Sequence, residues 1–163
     1  MEGIRSVLLF EGLVRQVGHG FKYGNMKILA LPLGRLMAEY LASNPLPVEV
    51  VIPVPLHKRR LRRRGYNQSS LLGGQLSRIT GLSLAEGALI RLRDTPSQAS
   101  AGAAERRDNV EKAFACTDMD VQGKRILLID DVCTTGATLD ACAVALKEAG
   151  AASVWGLALA RET

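Results

Sequence analysis

Residues 126–138 constrain the fold of this chain most, because an apolar run is followed at once by acids and then by hydroxyl residues. The run 126–129, Ile-Leu-Leu-Ile, is typical of a fully buried parallel strand. Asp130 and Asp131 come next, and a helical pattern of apolar residues then ends at Gly150. The sequence therefore predicts a strand, a loop and a helix in that order, with the strand ending before the acids.

The loop between this strand and this helix has the composition of an anion site. It consists of Thr134, Thr135, Gly136, Ala137 and Thr138. Backbone N–H groups at a helix start, together with hydroxyl donors, bind phosphate. Asp130 and Asp131 would repel a phosphate, so we expect them to face the vicinal hydroxyls of a ribose, with Mg²⁺ close by. The alternative is an acidic turn with a threonine cap and no ligand.

Composition and spacing predict a doubly wound α/β domain with a mostly parallel sheet. The chain has 163 residues, of which 47% are apolar and 4% aromatic, enough for one aliphatic core. We predict a single domain over 1–163, with an N-terminal helical portion at 1–45 and a core at 46–163. Helices are predicted at about 7–17, 28–42, 69–79 and from 138, and strands at 48–54, 89–93, 113–116 and 153–160.

Several classes of protein are not supported by the sequence. No secretory signal or membrane-length apolar run is visible, so we expect a cytoplasmic protein. The three cysteines show no Cys-x-x-Cys spacing, which argues against a disulfide framework and a zinc site. Cys133 lies next to the predicted anion site, and a reactive thiol of lowered pKa is an alternative there. Trp155 is expected in the core or in a contact between two copies of the chain in a homodimer.

A second loop should share a crevice with Asp130. It follows the predicted strand 48–54 and contains Pro55, Leu56, His57 and Lys58. Ligands of open parallel sheets gather at the carboxyl ends of the strands, where both loops are expected. For His57, a ligand contact and a solvated position both remain open.

The densest charge of the chain follows this loop. It comprises Lys58, Arg59, Arg60, Arg62, Arg63 and Arg64, with Tyr66 shortly after. These cations outnumber the formal net charge of +5, so the basicity is local and implies a local anion. Pyrophosphate and the backbone of single-stranded DNA both fit, and Tyr66 would add base stacking in the second case. A solvated, mobile loop without a ligand is the alternative.

At these two segments the chain resembles a known family. Residues 126–138 resemble the phosphoribosyl pyrophosphate signature of type I phosphoribosyltransferases. Residues 53–69, Pro-Val-Pro-Leu-His-Lys-Arg-Arg-Leu-Arg-Arg-Arg-Gly-Tyr-Asn-Gln-Ser, are similar to the signature of the ComF family, phosphoribosyltransferase-like proteins linked to natural competence. Further similar positions are Gly12, Arg15, Lys22, Tyr23, Thr95, Gln98, Arg106, Asn109 and Phe114. Family members commonly begin with a four-cysteine zinc module, which we expect this chain to lack.

The resemblance implies a function and a role for each loop. It implies binding of 5-phosphoribosyl 1-diphosphate with Mg²⁺ and transfer of the phosphoribosyl group to an unknown acceptor. By the same resemblance, Asp130 and Asp131 hold the ribose, residues 134–138 hold the 5′-phosphate, and residues 55–58 hold pyrophosphate. A flexible loop would close over the site, and its candidates are Arg93, Thr95, Gln98 and Arg106, with a polar linker as the alternative.

A second function is kept beside the first. In this hypothesis the chain is a DNA-uptake protein whose ribosyl-phosphate site senses a ligand without turnover. The basic run 58–64 would then bind single-stranded DNA. The link of the resembling family to competence favours this hypothesis.

Overall fold

The computed structural model describes residues 1–9, 11–12, 16, 19–20, 27–94 and 113–162. Its central sheet has five parallel strands in the order β1-β7-β6-β2-β3. These strands are β1 (Gly3–Leu9), β2 (Val50–Pro53), β3 (Ser83–Leu84), β6 (Arg125–Cys133) and β7 (Ser153–Arg161). The two others, β4 (Leu89–Arg91) and β5 (Phe114–Cys116), form a small antiparallel sheet.

The described residues form four helices. They are α1 (Ala30–Ser43), α2 (Lys58–Arg64), α3 (Gln68–Thr80) and α4 (Ala137–Glu148), with short 3₁₀ turns at Lys27–Leu29 and Met119–Val121. Helices α1 and α3 pack over Leu127 and Ile129, while α4 packs over Ile126 and Leu128. Among the described residues, no helix is both long and apolar enough to cross a bilayer.

Strand β6 lies at the centre of the sheet and fixes the position of the site. Its residues 126–129 are fully buried, and burial of each such side chain stabilises the fold by roughly 1.5–3 kcal/mol. Ile129 lies beside Pro53 of β2 and Leu157 of β7. The carboxyl ends of β2 and β6 therefore meet at one edge, and the loops that follow them share that edge.

The predicted architecture is confirmed. The sheet is parallel with helices on both faces, as in a doubly wound domain. The predicted helices at 28–42 and 69–79 correspond to α1 and α3, and Pro32 lies in the first turn of α1, where its missing N–H is tolerated. The predicted strands at 48–54, 89–93, 113–116 and 153–160 are also found.

The prediction that a helix begins at Val7 is wrong, and the other residues of that prediction, Leu13, Val14 and Val17, lie outside the described residues. Val7 and Leu8 lie in β1, which pairs in parallel with β7. As an edge strand it is only partly buried along its length, so its side chains lack the pattern that distinguishes a strand from a helix. Glu2 holds its start, because its carboxylate accepts hydrogen bonds from Lys147 Nζ (2.7 Å) and the Val154 N–H (2.6 Å). The Lys147 hydrogen bond lowers the pKa of Glu2.

Trp155 lies on β7 and packs against the core beneath α1 and α3. The guanidinium of Arg5 lies 5.5 Å from the centroid of its ring. The core position is one of the two that the sequence predicted, and the homodimer stays a prediction.

Candidate functional site

Strand β6 continues through the acidic pair, so the prediction that it ends before Asp130 is wrong. Pairing with β7 extends from Asp130, opposite Ala158, to Cys133, opposite Arg161. The change from apolar to acidic side chains marks the edge of the core, but pairing of the strand with β7 continues past it. Asp130 and Asp131 are therefore presented from a paired strand, which is more rigid than a loop.

Hydrogen bonds fix the orientation of both carboxylates. Asp130 Oδ1 accepts from the Asp131 N–H (2.9 Å) and from Ser69 Oγ (3.2 Å). Asp131 Oδ1 accepts from the Val132 N–H (2.8 Å). Both side chains are half-buried, at the boundary between core and crevice. Carboxylates held in this way are suited to accept hydrogen bonds from a polyhydroxyl ligand.

The start of α4 has the geometry of an anion site. Gly136 precedes the helix with φ +84°, and no side chain caps the helix at this residue. The Ala137 N–H donates to Thr135 Oγ1 over 3.4 Å, which is a long hydrogen bond. The first turn of a helix presents N–H groups and the positive end of its dipole, so this loop can receive a phosphate.

The second loop begins where β2 ends, beside Asp130. The Val54 N–H donates to the Ile129 carbonyl (2.9 Å), and Pro55 and Leu56 follow in half-buried positions. The His57 side chain caps α2, because its Nδ1 accepts from the Arg59 N–H (3.3 Å). Lys58 is exposed at the start of that helix. The two predicted loops are therefore neighbours, and His57 has a capping role that the sequence did not suggest.

The basic run is a helix, so its description as a mobile loop is wrong. It begins after the His57 cap and ends at Gly65, whose φ of +84° closes the helix. Arg60 Nε bonds Asp94 Oδ1 (2.8 Å), and Arg64 Nη1 bonds Gln68 Oε1 (2.9 Å). The exposed basic face consists of Lys58, Arg59, Arg62 and Arg63. Helical periodicity thus places two arginines, Arg60 and Arg64, on the inner face of α2 and the other four cations on its outer face.

Tyr66 is not available for base stacking, which corrects its prediction as a nucleic-acid contact. Its side chain is 7% exposed and belongs to the core between the sheet, α1 and α3. Lys27 Nζ lies 5.2 Å from the centroid of its ring. An aromatic residue in a basic segment can indicate a ligand contact, but Tyr66 anchors the segment to the core.

The predicted lid residues lie mostly outside the described part of the chain. Arg93 is exposed near the end of the 27–94 segment, and its carbonyl accepts from Arg91 Nε (3.2 Å). The other lid candidates, Thr95, Gln98 and Arg106, lie outside the described residues. Four positions that resemble the family also lie outside them: Arg15, Lys22, Tyr23 and Asn109. Their roles stay predictions.

Sequence reasoning missed two residues that contact the loop ends, Asn67 and Ser69, and one charged neighbour of Asp130, Arg91. Asn67 and Ser69 stood in the family-like segment without an assigned role, although an Asn before a helical pattern is a cap signal. Burial lowers the pKa of Arg91, and the nearby charge of Arg60 lowers it further, while the carboxylate of Asp130 opposes the shift. Arg91 thus belongs to the electrostatic surroundings of Asp130.

A reactive thiol at Cys133 is contradicted. Burial raises the pKa of Cys133, and the neighbouring charge of Asp130 raises it further. Its side chain packs with the core beneath α4. A protonated, buried thiol is a poor nucleophile, so Cys133 is a structural residue.

The chemistry of the site fits Mg²⁺ brought by a ligand. Asp130 and Asp131 supply hard oxygen atoms, while the described residues contain no cluster of three or more His, Cys, Asp or Glu side chains that could hold a metal. Mg²⁺ typically binds through one or two carboxylates, with water and substrate phosphates completing its shell. The acidic pair is therefore a suitable partner for a metal shared with a phosphorylated ligand.

Comparison with known proteins shows which family this chain belongs to. A family model described as Phosphoribosyl transferase domain matches residues 72–161. Competence protein F of Haemophilus influenzae is 38% identical over 152 residues, which cover 86% of this chain and 65% of that protein. DNA utilization protein YhgH of Escherichia coli O157:H7 is 37% identical over 142 residues, covering 83% of this chain and 62% of that protein. The chain thus spans less than two thirds of the length of either relative.

A solved structure gives the same fold. The glutamine phosphoribosylpyrophosphate amidotransferase of B. subtilis superposes with a TM-score of 0.59 at 20% identity, covering 86% of this chain and 30% of that chain. The predicted type I phosphoribosyltransferase fold and the resemblance to the ComF family are both confirmed.

Proposed function

This chain belongs to the phosphoribosyl transferase domain family, and from that premise we propose that it binds 5-phosphoribosyl 1-diphosphate with Mg²⁺ and transfers the phosphoribosyl group to an acceptor. One observation carries the proposal. The paired carboxylates near the end of β6 are followed by a helix start at Gly136, whose first N–H group, that of Ala137, makes a long hydrogen bond of 3.4 Å. Carboxylates that can hold a ribose are thus followed, a few residues later, by N–H groups that can bind its 5′-phosphate.

In this proposal each part of the crevice has a separate task. Asp130 and Asp131 accept hydrogen bonds from the ribose hydroxyls, and the loop before α4 binds the 5′-phosphate. The loop after β2, with Lys58 and the inner arginines, holds the pyrophosphate. Asp130 and Asp131 would hold Mg²⁺, which would neutralise part of the charge of the phosphates.

The proposed reaction requires no covalent nucleophile on the protein. The bond from the sugar C1′ to the pyrophosphate oxygen breaks, and its electron pair leaves with pyrophosphate. A new bond forms between C1′ and a nucleophilic atom of the acceptor. C1′ gains positive charge on the way, and the nearby carboxylates of Asp130 and Asp131 stabilise that charge.

Pyrophosphate release tests the proposed reaction. With 5-phosphoribosyl 1-diphosphate and water as the acceptor of the phosphoribosyl group, pyrophosphate and ribose 5-phosphate should be released when Mg²⁺ is present, and release should stop when the metal is chelated. Asp131→Asn should reduce the rate about 100-fold, since it removes a negative charge that faces the reacting sugar. Release that is unaffected by this substitution would contradict the assigned site.

A second candidate function, binding of single-stranded DNA, is favoured by the outer face of α2. Lys58, Arg59, Arg62 and Arg63 are exposed, and their side chains have no hydrogen bond or ion pair within the described residues. Four cations on one helical face attract a phosphate backbone. The name of the relative YhgH, a DNA utilization protein, points the same way. The ribosyl-phosphate site would then sense a ligand.

The salt dependence of DNA affinity tests this second function. Replacing Arg59, Arg62 and Arg63 by alanine should flatten the slope of log affinity against log salt by about 2, because each lost phosphate contact contributes roughly 0.7 for single strands. The matched control is Arg78→Ala, an exposed arginine in the last turn of α3. If the slope changed equally in the triple variant and in Arg78→Ala, or did not change in the triple variant, the outer face of α2 would be excluded as the DNA contact.

A further inference from the structure

The first turn of α3 connects the two halves of the crevice. We call residues 67–69 the bridging turn. Asn67 Nδ2 donates to the Val54 carbonyl (2.9 Å), immediately before the loop that begins at Pro55. Two residues later, Ser69 Oγ donates to Asp130 Oδ1 (3.2 Å). One short segment therefore reaches the end of β2 and the end of β6 at the same time.

The bridging turn is rigid. Asn67 caps α3 by accepting the Ser69 N–H on its Oδ1 (3.1 Å), so one side chain closes the helix and contacts β2. Gln68 and Ser69 are 2% and 4% exposed. Gln68 Oε1 also accepts from Arg64 Nη1 (2.9 Å), which ties the last turn of the basic helix to the turn. Hydrogen bonds therefore tie the bridging turn both to the end of β2 and to α2.

Stability alone does not account for the composition of the turn. Gln68 Nε2 is a buried donor that finds no acceptor among the described residues. An unpaired buried donor lowers stability, and an apolar side chain of similar size would avoid that loss. Polar groups kept in such a place are expected where geometry matters more than stability.

We propose that the bridging turn sets the relative position of the two binding halves, with Ser69 as a positioning residue for Asp130 and Asn67 as one for the loop 55–58. The inference rests on the proposed function, since it names how the same crevice holds the two ends of a diphosphorylated pentose. Ser69 fixes the carboxylate of Asp130 through a hydrogen bond to a charged acceptor, and Asn67 fixes the carbonyl from which the loop departs. Reacting groups must be held within a fraction of an ångström, so both contacts affect binding without touching the ligand.

Separate probes for the two halves test the inference. Calorimetric titrations would use ribose 5-phosphate for the Asp130 half and inorganic pyrophosphate for the loop half, both with Mg²⁺. Ser69→Ala should lower the affinity for ribose 5-phosphate about tenfold and the affinity for pyrophosphate less than about twofold. Asn67→Ser should do the reverse, because serine keeps the helix cap but is too short to reach the Val54 carbonyl.

The matched control lies in the same helix. Ser77 Oγ also donates to a backbone carbonyl, that of Leu82 (2.6 Å), but at the far end of α3. Ser77→Ala removes a serine hydrogen bond from this helix and should leave both affinities within about twofold. A general loss of helix stability would lower both affinities in all three variants, so only a positioning role gives opposite selectivity in Ser69→Ala and Asn67→Ser.

Each outcome decides between the claims. Opposite selectivity in the two variants supports the bridging turn. Binding of both probes that is equal in all variants, or lowered uniformly, would overturn the positioning roles while leaving the proposed function intact. Failure of the unsubstituted protein to bind ribose 5-phosphate would instead overturn the proposed function, and the positioning roles with it.

Discussion

Replacing Gly136 by alanine is expected to lower the free energy of unfolding by roughly 1–3 kcal/mol and to weaken phosphate binding strongly. The residue has φ +84°, a conformation that glycine adopts without strain and alanine does not. An added Cβ would also lie 2.8 Å from Ile4 Cδ1, so the end of that side chain would have to move. Relief of the backbone strain at residue 136 moves the N–H groups at the start of α4. Denaturant unfolding and a ribose 5-phosphate titration measure the two effects.

Gly65→Ala is the control for the free-energy cost of placing an alanine at a positive φ. Gly65 has the same φ of +84°, but a Cβ there would meet no atom within 4 Å. It should therefore show the conformational cost alone, about 1–2 kcal/mol, with ribose 5-phosphate affinity nearly unchanged. A Gly136→Ala protein as stable as the unsubstituted one, with full phosphate affinity, would mean that the loop before α4 is not the phosphate site.

Asp130→Ala should lower the affinity for ribose 5-phosphate about 100-fold. This is the loss expected when two hydrogen bonds to a charged acceptor, worth about 1.5 kcal/mol each, are removed. The substitution removes the acceptor of the Asp131 N–H and of Ser69 Oγ as well as the proposed ribose contact. The unfolding midpoint should fall only modestly, because the side chain lies at the boundary of the core. Calorimetry and thermal unfolding separate the two losses.

Asp140→Ala provides the matched carboxylate control. Asp140 is exposed in the first turn of α4, close to the proposed phosphate site. Its removal takes away a negative charge, so ribose 5-phosphate affinity should stay the same or rise slightly. Equal losses in Asp130→Ala and Asp140→Ala would mean that overall charge, and not a ribose contact at Asp130, governs binding.

The strand, loop and helix of 125–148 could be predicted because their signals are local. A continuous apolar run, an abrupt change to acids and a glycine before a helical pattern each act within a few residues. Strand β1 was mistaken for a helix because an edge strand is half-buried and its apolar run is short. The prediction failed where burial depends on a distant neighbour, here β7.

The organisation of the basic segment shows a different limit. Six cations around one leucine lack the apolar spacing of an amphipathic helix, so the sequence did not indicate α2. The helix depends on two local caps, His57 and Gly65, and on inward contacts of Arg60 and Arg64. The burial of Tyr66 likewise follows from packing against α1, which sequence spacing does not show.

The residues that orient the site could also not be predicted from the sequence. Ser69 meets Asp130 across 61 positions of the chain, and Arg60 meets Asp94 across 34. Such pairs arise only when β2, β6 and the connecting helices come together at one edge of the sheet. The ligand-facing segments could therefore be predicted from composition, whereas the residues that orient them required the fold.

The most direct test of the account is a calorimetric titration of the unsubstituted protein with 5-phosphoribosyl 1-diphosphate, with and without Mg²⁺. We expect saturable binding of one equivalent per chain that needs the metal and is competed by ribose 5-phosphate. The absence of heat at millimolar ligand with Mg²⁺, or binding unchanged in Asp130→Ala, would contradict the claim that this crevice holds a phosphorylated ribose.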